Sequence, residues 1–422
     1  MSILHQLVQN IPIPPMVRIR QKFDATKLDE PVEALRQELR KPGSVDRLLP
    51  GQSVAVAVGS RGIAHIGDFT KATIDAILAV GAFPFIVPCM GSHGGATAEG
   101  QTEVLSHFGI TEALMGVPIR SSMEVVEIAQ LENGLPIYVD RIASEADAIV
   151  VINRIKPHTA FRGTVESGIL KMIAIGLGKQ KGAEACHQLG FKYMAENVPA
   201  MAKVMIELLP IVFAVALVEN AYDETSRVEV LPIEIVETRE PVLLEEAKSR
   251  LPKILFSQLD VLVIDYIGKN ISGDGMDPNV TGRYPTPYAT GGPDVSKMVV
   301  LDLTHETKGN ANGVGTADFT TKRLVDKMDL DATYANGLTS TVCAPTKIAT
   351  TLVNQEDTIK AAIKTCNILD YTKCRLVRIQ DTLHLGEIEI STTLLEEAKL
   401  QADIEILSDA YVWSFNDEGD LF

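Results

Sequence analysis

The residues best suited to do chemistry in this sequence are His158, Lys171 and His187, which share one stretch, NRIKPHTAFRGTVESGILKMIAIGLGKQKGAEACH, residues 153–187. An imidazole titrates near neutrality and ligates metals, and a lysine amine can carry charge or accept a covalent attachment. Between Lys171 and His187 the chain is interrupted by Gly176, Gly178 and Gly182, which suits a backbone that must bend closely around a bound group. Two other turns repeat the theme, GSRG with Ser60 and Arg61 and GSHGG with His93. Taken singly, such residues are ordinary surface or core residues. Their shared setting in Gly-rich turns is what makes them a candidate pocket.

Positioning those side chains calls for an α/β framework. ADAIVVI, 146–152, reads as a strand that ends where the polar stretch begins. SVAVAVGSRG followed by DFTKATIDAILAVGA, and FPFIVPCMGSHGG followed by TAEGQTEVLSHFG with Thr97 as N-cap, each read as strand, Gly-rich turn and helix. Arg61, His93 and the focal stretch thus fall at strand carboxyl ends, where ligands bind in open α/β sheets. Behind a Pro-rich lead, DEPVEALRQELRK predicts a helix over 31–41; 117–141 is a polar, β-leaning stretch. A helix over 191–208, a strand over 211–218 and a strand-then-helix over 229–254 follow. LDVLVIDY is a buried strand that opens a second Gly-rich stretch, GKNISGDGMDPNVTGR. Beyond it KMVVLDL and CRLVRIQ read as strands, and DFTTKRLVDKM, NQEDTIKAAIKTCNI and TTLLEEAKL as helices. This alternation predicts two α/β domains with mostly parallel sheets, 1–260 and 261–422, with the C-terminal tail free to return to the first.

Composition narrows the function. With 422 residues, 46% hydrophobic and 22% charged, the chain has material for a sizeable core, and a net charge of −16 without Lys/Arg runs argues against nucleic acid as a partner. Five scattered Cys with no C-x-x-C indicate neither a disulfide framework nor a zinc site. The N-terminus lacks a signal-peptide pattern and no apolar run is long enough for a membrane span, so the expectation is a cytoplasmic protein without a membrane partner. Walker, H-E-x-x-H, G-x-S-x-G and clean G-x-G-x-x-G patterns are absent.

In order along the chain, a strand ending in Ser60-Arg61, GSHGGAT before an acidic helix, PHT at 157–159, Lys171 and His187 sixteen residues apart, and GDGMDPN at 273–279 together resemble the nickel-dependent lactate racemase family over residues 50 to 285. The resemblance implies two α/β domains with the active site in the cleft between them and a nickel-pincer nucleotide as cofactor, delivered by cofactor-biosynthesis proteins. It implies Lys171 as the cofactor's thioamide tether, His187 as the nickel ligand, Ser60 and Arg61 as cofactor contacts, and His93 and His158 as the acid/base pair. The substrate end departs from the lactate enzymes. Asp277-Pro278-Asn279 is followed by Val280, Thr281, Gly282 and Arg283 in place of Leu-Tyr-Gln and a lysine, which points to a 2-hydroxy acid other than lactate. Asp277, Asn279 and Arg283 are the substrate-binding candidates, Arg283 because its planar fork suits a carboxylate. A nicotinamide-type oxidoreductase or isomerase without nickel, and an inactive nucleotide- or metal-binding homologue, are the competing readings.

Overall fold

The structure is a computed structural model that describes residues 2–59 and 62–422, so Ser60 and Arg61 lie outside the described residues. The chain forms two compact units, 24–251 and a second one made of 1–23 with 252–422. The sequence expectation of a break near 260, with the N-terminus in the first domain, differs from this arrangement. The reason is β1 (Met16–Gln21), whose alternating MVRIRQ buries Val17 and Ile19 and exposes Arg18 and Arg20. That pattern is satisfied by pairing with strands near the C-terminus, and six residues behind a Pro-rich lead were too short a signal to assign.

In the unit 24–251, β2 (Ser53–Val58), β3 (Phe83–Pro88), β4 (Val125–Gln130), β5 (Pro136–Asp140), β6 (Ala148–Arg154), β7 (Ile211–Glu219) and β8 (Thr225–Pro232) follow in chain order. Five of them make one sheet in the order β3-β2-β6-β7-β8, parallel except for the β7–β8 pair, and β4 and β5 form a separate antiparallel hairpin. Val54 to Val58 and Ile149 to Ile152 are buried throughout, as strands covered on both faces must be. The helix Ile66–Ala79 turns Phe69, Ile74 and Ile77 into that core. Because β2 is flanked by β3 on one side and by the later β6 on the other, the loops after β2, β3 and β6 leave the sheet at its switch in strand order. That crevice is where open α/β sheets bind ligands.

In the other unit, β9 (Gln258–Ile267), β10 (Asp294–Leu303), β11 (Phe319–Thr321), β12 (Thr350–Leu352), β13 (Leu376–Ile379), β14 (Glu387–Ser391) and β15 (Ile404–Ile406) join β1 in an eight-stranded sheet, β12-β11-β10-β9-β13-β14-β1-β15. The five strands from β12 to β13 are parallel, and β14, β1 and β15 are antiparallel. The helix predicted for DFTTKRLVDKM is corrected: Phe319–Thr321 is a strand, and only Lys322–Asp326 is helical. Phe319 and Thr320 pair in parallel with β10, and Thr321 then caps the helix by accepting from Leu324 N. Among the described residues no helix is long and apolar enough to cross a membrane.

Candidate active site

The focal stretch folds as strand, loop and helix. After β6 the chain makes a closed loop, with Lys156 and Ser167 exchanging backbone hydrogen bonds of 2.7 and 3.1 Å, and Asn153 Nδ2 donating to Gly168 O at 2.9 Å. Inside it, the buried Glu166 carboxylate accepts the backbone N–H of His158 at 2.7 Å and pairs with Arg162 at 3.3 Å and Lys248 at 3.0 Å. Arg162 also donates to His158 O at 2.7 Å, so His158 is held at both its backbone groups. Its ring is buried against Phe161, centroids 4.4 Å apart.

The second part is helical from Ile169 to His187, with a π turn at Met172–Gly176 and a restart at Lys179. A π turn widens the helix by one residue and is common where side chains are aimed at a ligand. Gly176 belongs there for a packing reason, since a Cβ would sit 2.7 Å from Cys89 Sγ. Lys171 leads into this turn and His187 closes the helix that follows it.

Electrostatically the three residues form one group. Burial first, and then the Lys171 charge, lower His187 to about 4 against an opposing contribution from the Ala183 carbonyl one turn back. His158 is depressed well below its ordinary value by burial, then by Lys171, His187, Lys156 and Arg162. Both imidazoles are therefore neutral at physiological pH. The Phe191 ring stands near both, 5.3 Å from His187 and 6.1 Å from His158. Nδ1 of His187 is buried and makes no hydrogen bond in good geometry. A buried imidazole nitrogen without a partner, kept neutral, is the form that binds a metal.

His93 is exposed on the loop after β3. That loop is fastened to the Lys171–His187 helix. Gly91 N donates to Gly176 O at 3.3 Å, and Gln101 Nε2 donates to Gly91 O at 2.9 Å and His93 O at 3.2 Å. Lys179, fully buried, donates to Gln101 Oε1 at 3.2 Å and to Pro88 O, and pairs with buried Asp140 at 2.9 Å. The expected cofactor contacts Ser60 and Arg61 cannot be placed against these residues, since both lie outside the described residues.

The substrate candidates lie in the other unit. Asp277 caps the short helix Pro278–Thr281 by accepting from Asn279 N at 2.9 Å and Asn279 Nδ2 at 2.8 Å. Arg283 donates to Val295 O and Ser296 O, both at 2.9 Å, and pairs with Asp318 at 3.0 Å. In this conformation its fork braces the entry to β10.

Sequence reading passed over Glu166, Glu240, Asp140 and Lys179. The first three carried no pattern, being single acids in charged or turn-like surroundings. Lys179 directly follows Gly178, a dipeptide that without the rest of a phosphate-binding loop gives no signal.

Residues 16–198 match the family model described as the lactate racemase N-terminal domain. No curated protein matches the chain. Among solved structures, the lactate racemase apoprotein from Thermoanaerobacterium thermosaccharolyticum superimposes with a TM-score of 0.52 at 13% identity, covering 88% of this chain and 99% of that one. That likeness is one of fold, and its near-complete coverage extends over both units. The His158–Lys171–His187 group lies inside the segment that is similar to the lactate racemase N-terminal domain.

Proposed function

We propose that the chain is a racemase or epimerase of a 2-hydroxy acid other than lactate that works with a nickel-pincer nucleotide. The observation that carries this reading is His187: a neutral imidazole with a buried, unpartnered Nδ1 beside Lys171. Such a nitrogen fits Ni(II), which takes borderline donors in a planar set. Among the described residues no three His, Cys, Asp or Glu stand together as a metal cluster, so His187 would bring one donor and the cofactor the others. Lys171 would hold the group covalently. When bound, the group supplies a hydride acceptor.

The protein's own residues do the rest. Lys171, Lys156 and Arg162 make a positive field around His158 in a chain of net charge −16, which favours an anionic substrate. His158 and His93 are the residues assigned to the substrate's oxygens. Phe161 and Phe191 wall His158 and His187, and a hydrogen bond made in such a dry setting is strengthened.

The test is protein made in a host that synthesises the cofactor. The expected result is an adduct mapping to Lys171 with about one nickel per chain, and His187→Ala that keeps the adduct and loses the metal. An adduct elsewhere, or full nickel on an unmodified chain, overturns the reading. A 2-hydroxy acid deuterated at C2 should be racemised with its label retained; washout into water would reject hydride return.

A further inference from the structure

The two histidines assigned to substrate are not equivalent, and the difference is built into the loop at 158–166. Nδ1 of His158 accepts a hydrogen bond of 3.0 Å from the backbone N–H of Ala160. A backbone amide can only donate, so Nδ1 must be the bare nitrogen of the ring. In a neutral imidazole the proton then resides on Nε2. Protonating Nδ1 would set N–H against N–H, and turning the ring over would leave the buried Ala160 amide facing carbon without a partner.

The surroundings hold the ring in this orientation. Glu166 accepts from His158 N, Arg162 donates to His158 O, and Lys248 anchors Glu166 from the helix Ile233–Arg250. Phe161 covers the ring at 4.4 Å. Glu166, Arg162 and Lys248 are positioning residues: each acts on His158 and none through its own chemistry.

We propose that His158 is a fixed neutral hydrogen-bond donor, presenting Nε2–H to a substrate oxygen, and that it does not accept the hydroxyl proton. With the proton already on Nε2, the ring has no lone pair to offer there. A neutral imidazole used in this way polarises a carbonyl or carboxylate oxygen without transferring its proton. Proton acceptance then falls to one group for both enantiomers, with His93, on the loop tied to Gly176, as its carrier. The role at substrate rests on the racemase reading; the position of the proton does not.

Two measurements test it. In the full chain labelled with 15N-histidine, with His158→Asn used to assign its signals, the spectrum at neutral pH should show His158 Nε2 protonated and Nδ1 bare. A protonated Nδ1 overturns the proposal. In cofactor-loaded protein, His158→Gln places an amide N–H near the position of Nε2 and should keep turnover within about tenfold, while His158→Ala should lose about 10²–10³-fold. Equal loss in both variants, with nickel and folding intact, overturns the donor role. A loaded wild-type chain that racemises no 2-hydroxy acid would instead overturn the functional reading, and the spectrum would still decide where the proton is.

Discussion

Leu170 N donates a 2.9 Å hydrogen bond to Glu240 Oε2, which seats a buried carboxyl on the amide directly before Lys171. The other oxygen, Oε1, is buried without a partner and closes over Gly168, where a Cβ would collide with it. Glu240 is thus the floor under the segment that carries Lys171.

Burial raises the Glu240 carboxyl from 4.5 to about 7, although the amides of Leu170 and Ile169 pull it down. The folded chain therefore holds this proton more tightly than the unfolded chain does. Its contribution to stability is full below pH 4.5 and is lost as pH rises through about 7. Glu240→Gln should remove that part of the slope and be more stable than wild type at pH 8, by up to about 3 kcal/mol. Urea unfolding of both proteins at pH 5.5 and pH 8 checks this; parallel pH dependence in the two would refute it.

Buried Lys179, on the helix of His187, reaches the loop of His93 through Gln101 and pairs with Asp140 at the end of β5. Lys179→Met should cost about 3–5 kcal/mol, because it strands a carboxylate in the core. Adding Asp140→Asn, which keeps the cap on Ala143 N, should recover most of the loss. A double variant no more stable than Lys179→Met would show that the stranded carboxylate is not the source of the loss.

Gly94 and Gly95 both have left-handed backbones, at φ +66° and +64°, but only at Gly94 is a Cβ crowded, 2.7 Å from Gln101 N. Gly95→Ala should cost about 1 kcal/mol from backbone strain alone, and Gly94→Ala about 2–3 kcal/mol. Turnover should fall in Gly94→Ala more than stability at the assay temperature explains, because the displaced loop carries His93. Equal unfolding energies for the two variants would remove the packing argument.

Arg283 divides its fork between two carbonyls and Asp318, whose carboxylate also accepts Met298 N at 2.8 Å. Arg283→Met should lower stability by about 1–3 kcal/mol through the stranded partners, with KM for the substrate little changed. A raised KM in a variant of undiminished stability would instead support Arg283 as the carboxylate clamp.

Much of this was legible in the chain itself. Continuous apolar runs such as SVAVAV and AIVVI specify strands covered on both faces, and each gives way to a Gly-rich or polar stretch, so the sequence determined an α/β framework with His93 and His158 beyond strand carboxyl ends. Thr97 at the head of the Ala98–His107 helix was equally plain, since its hydroxyl accepts from Gly100 N at 3.0 Å as an N-cap should. The spacing of Lys171 and His187 placed them in one segment.

What the tertiary structure decided is everything that depends on partners distant in the chain. β1 sits with β14 and β15 because strand pairing across more than 360 residues leaves no local trace in six residues of alternation. The partners of Arg283 have no local signal either: the carbonyls of Val295 and Ser296 accept from it only once the chain turns into β10. The state of His158 rests on an amide two residues away and on Glu166, Arg162 and Lys248. Proton position is fixed by hydrogen-bond direction, and direction exists only when the loop has closed.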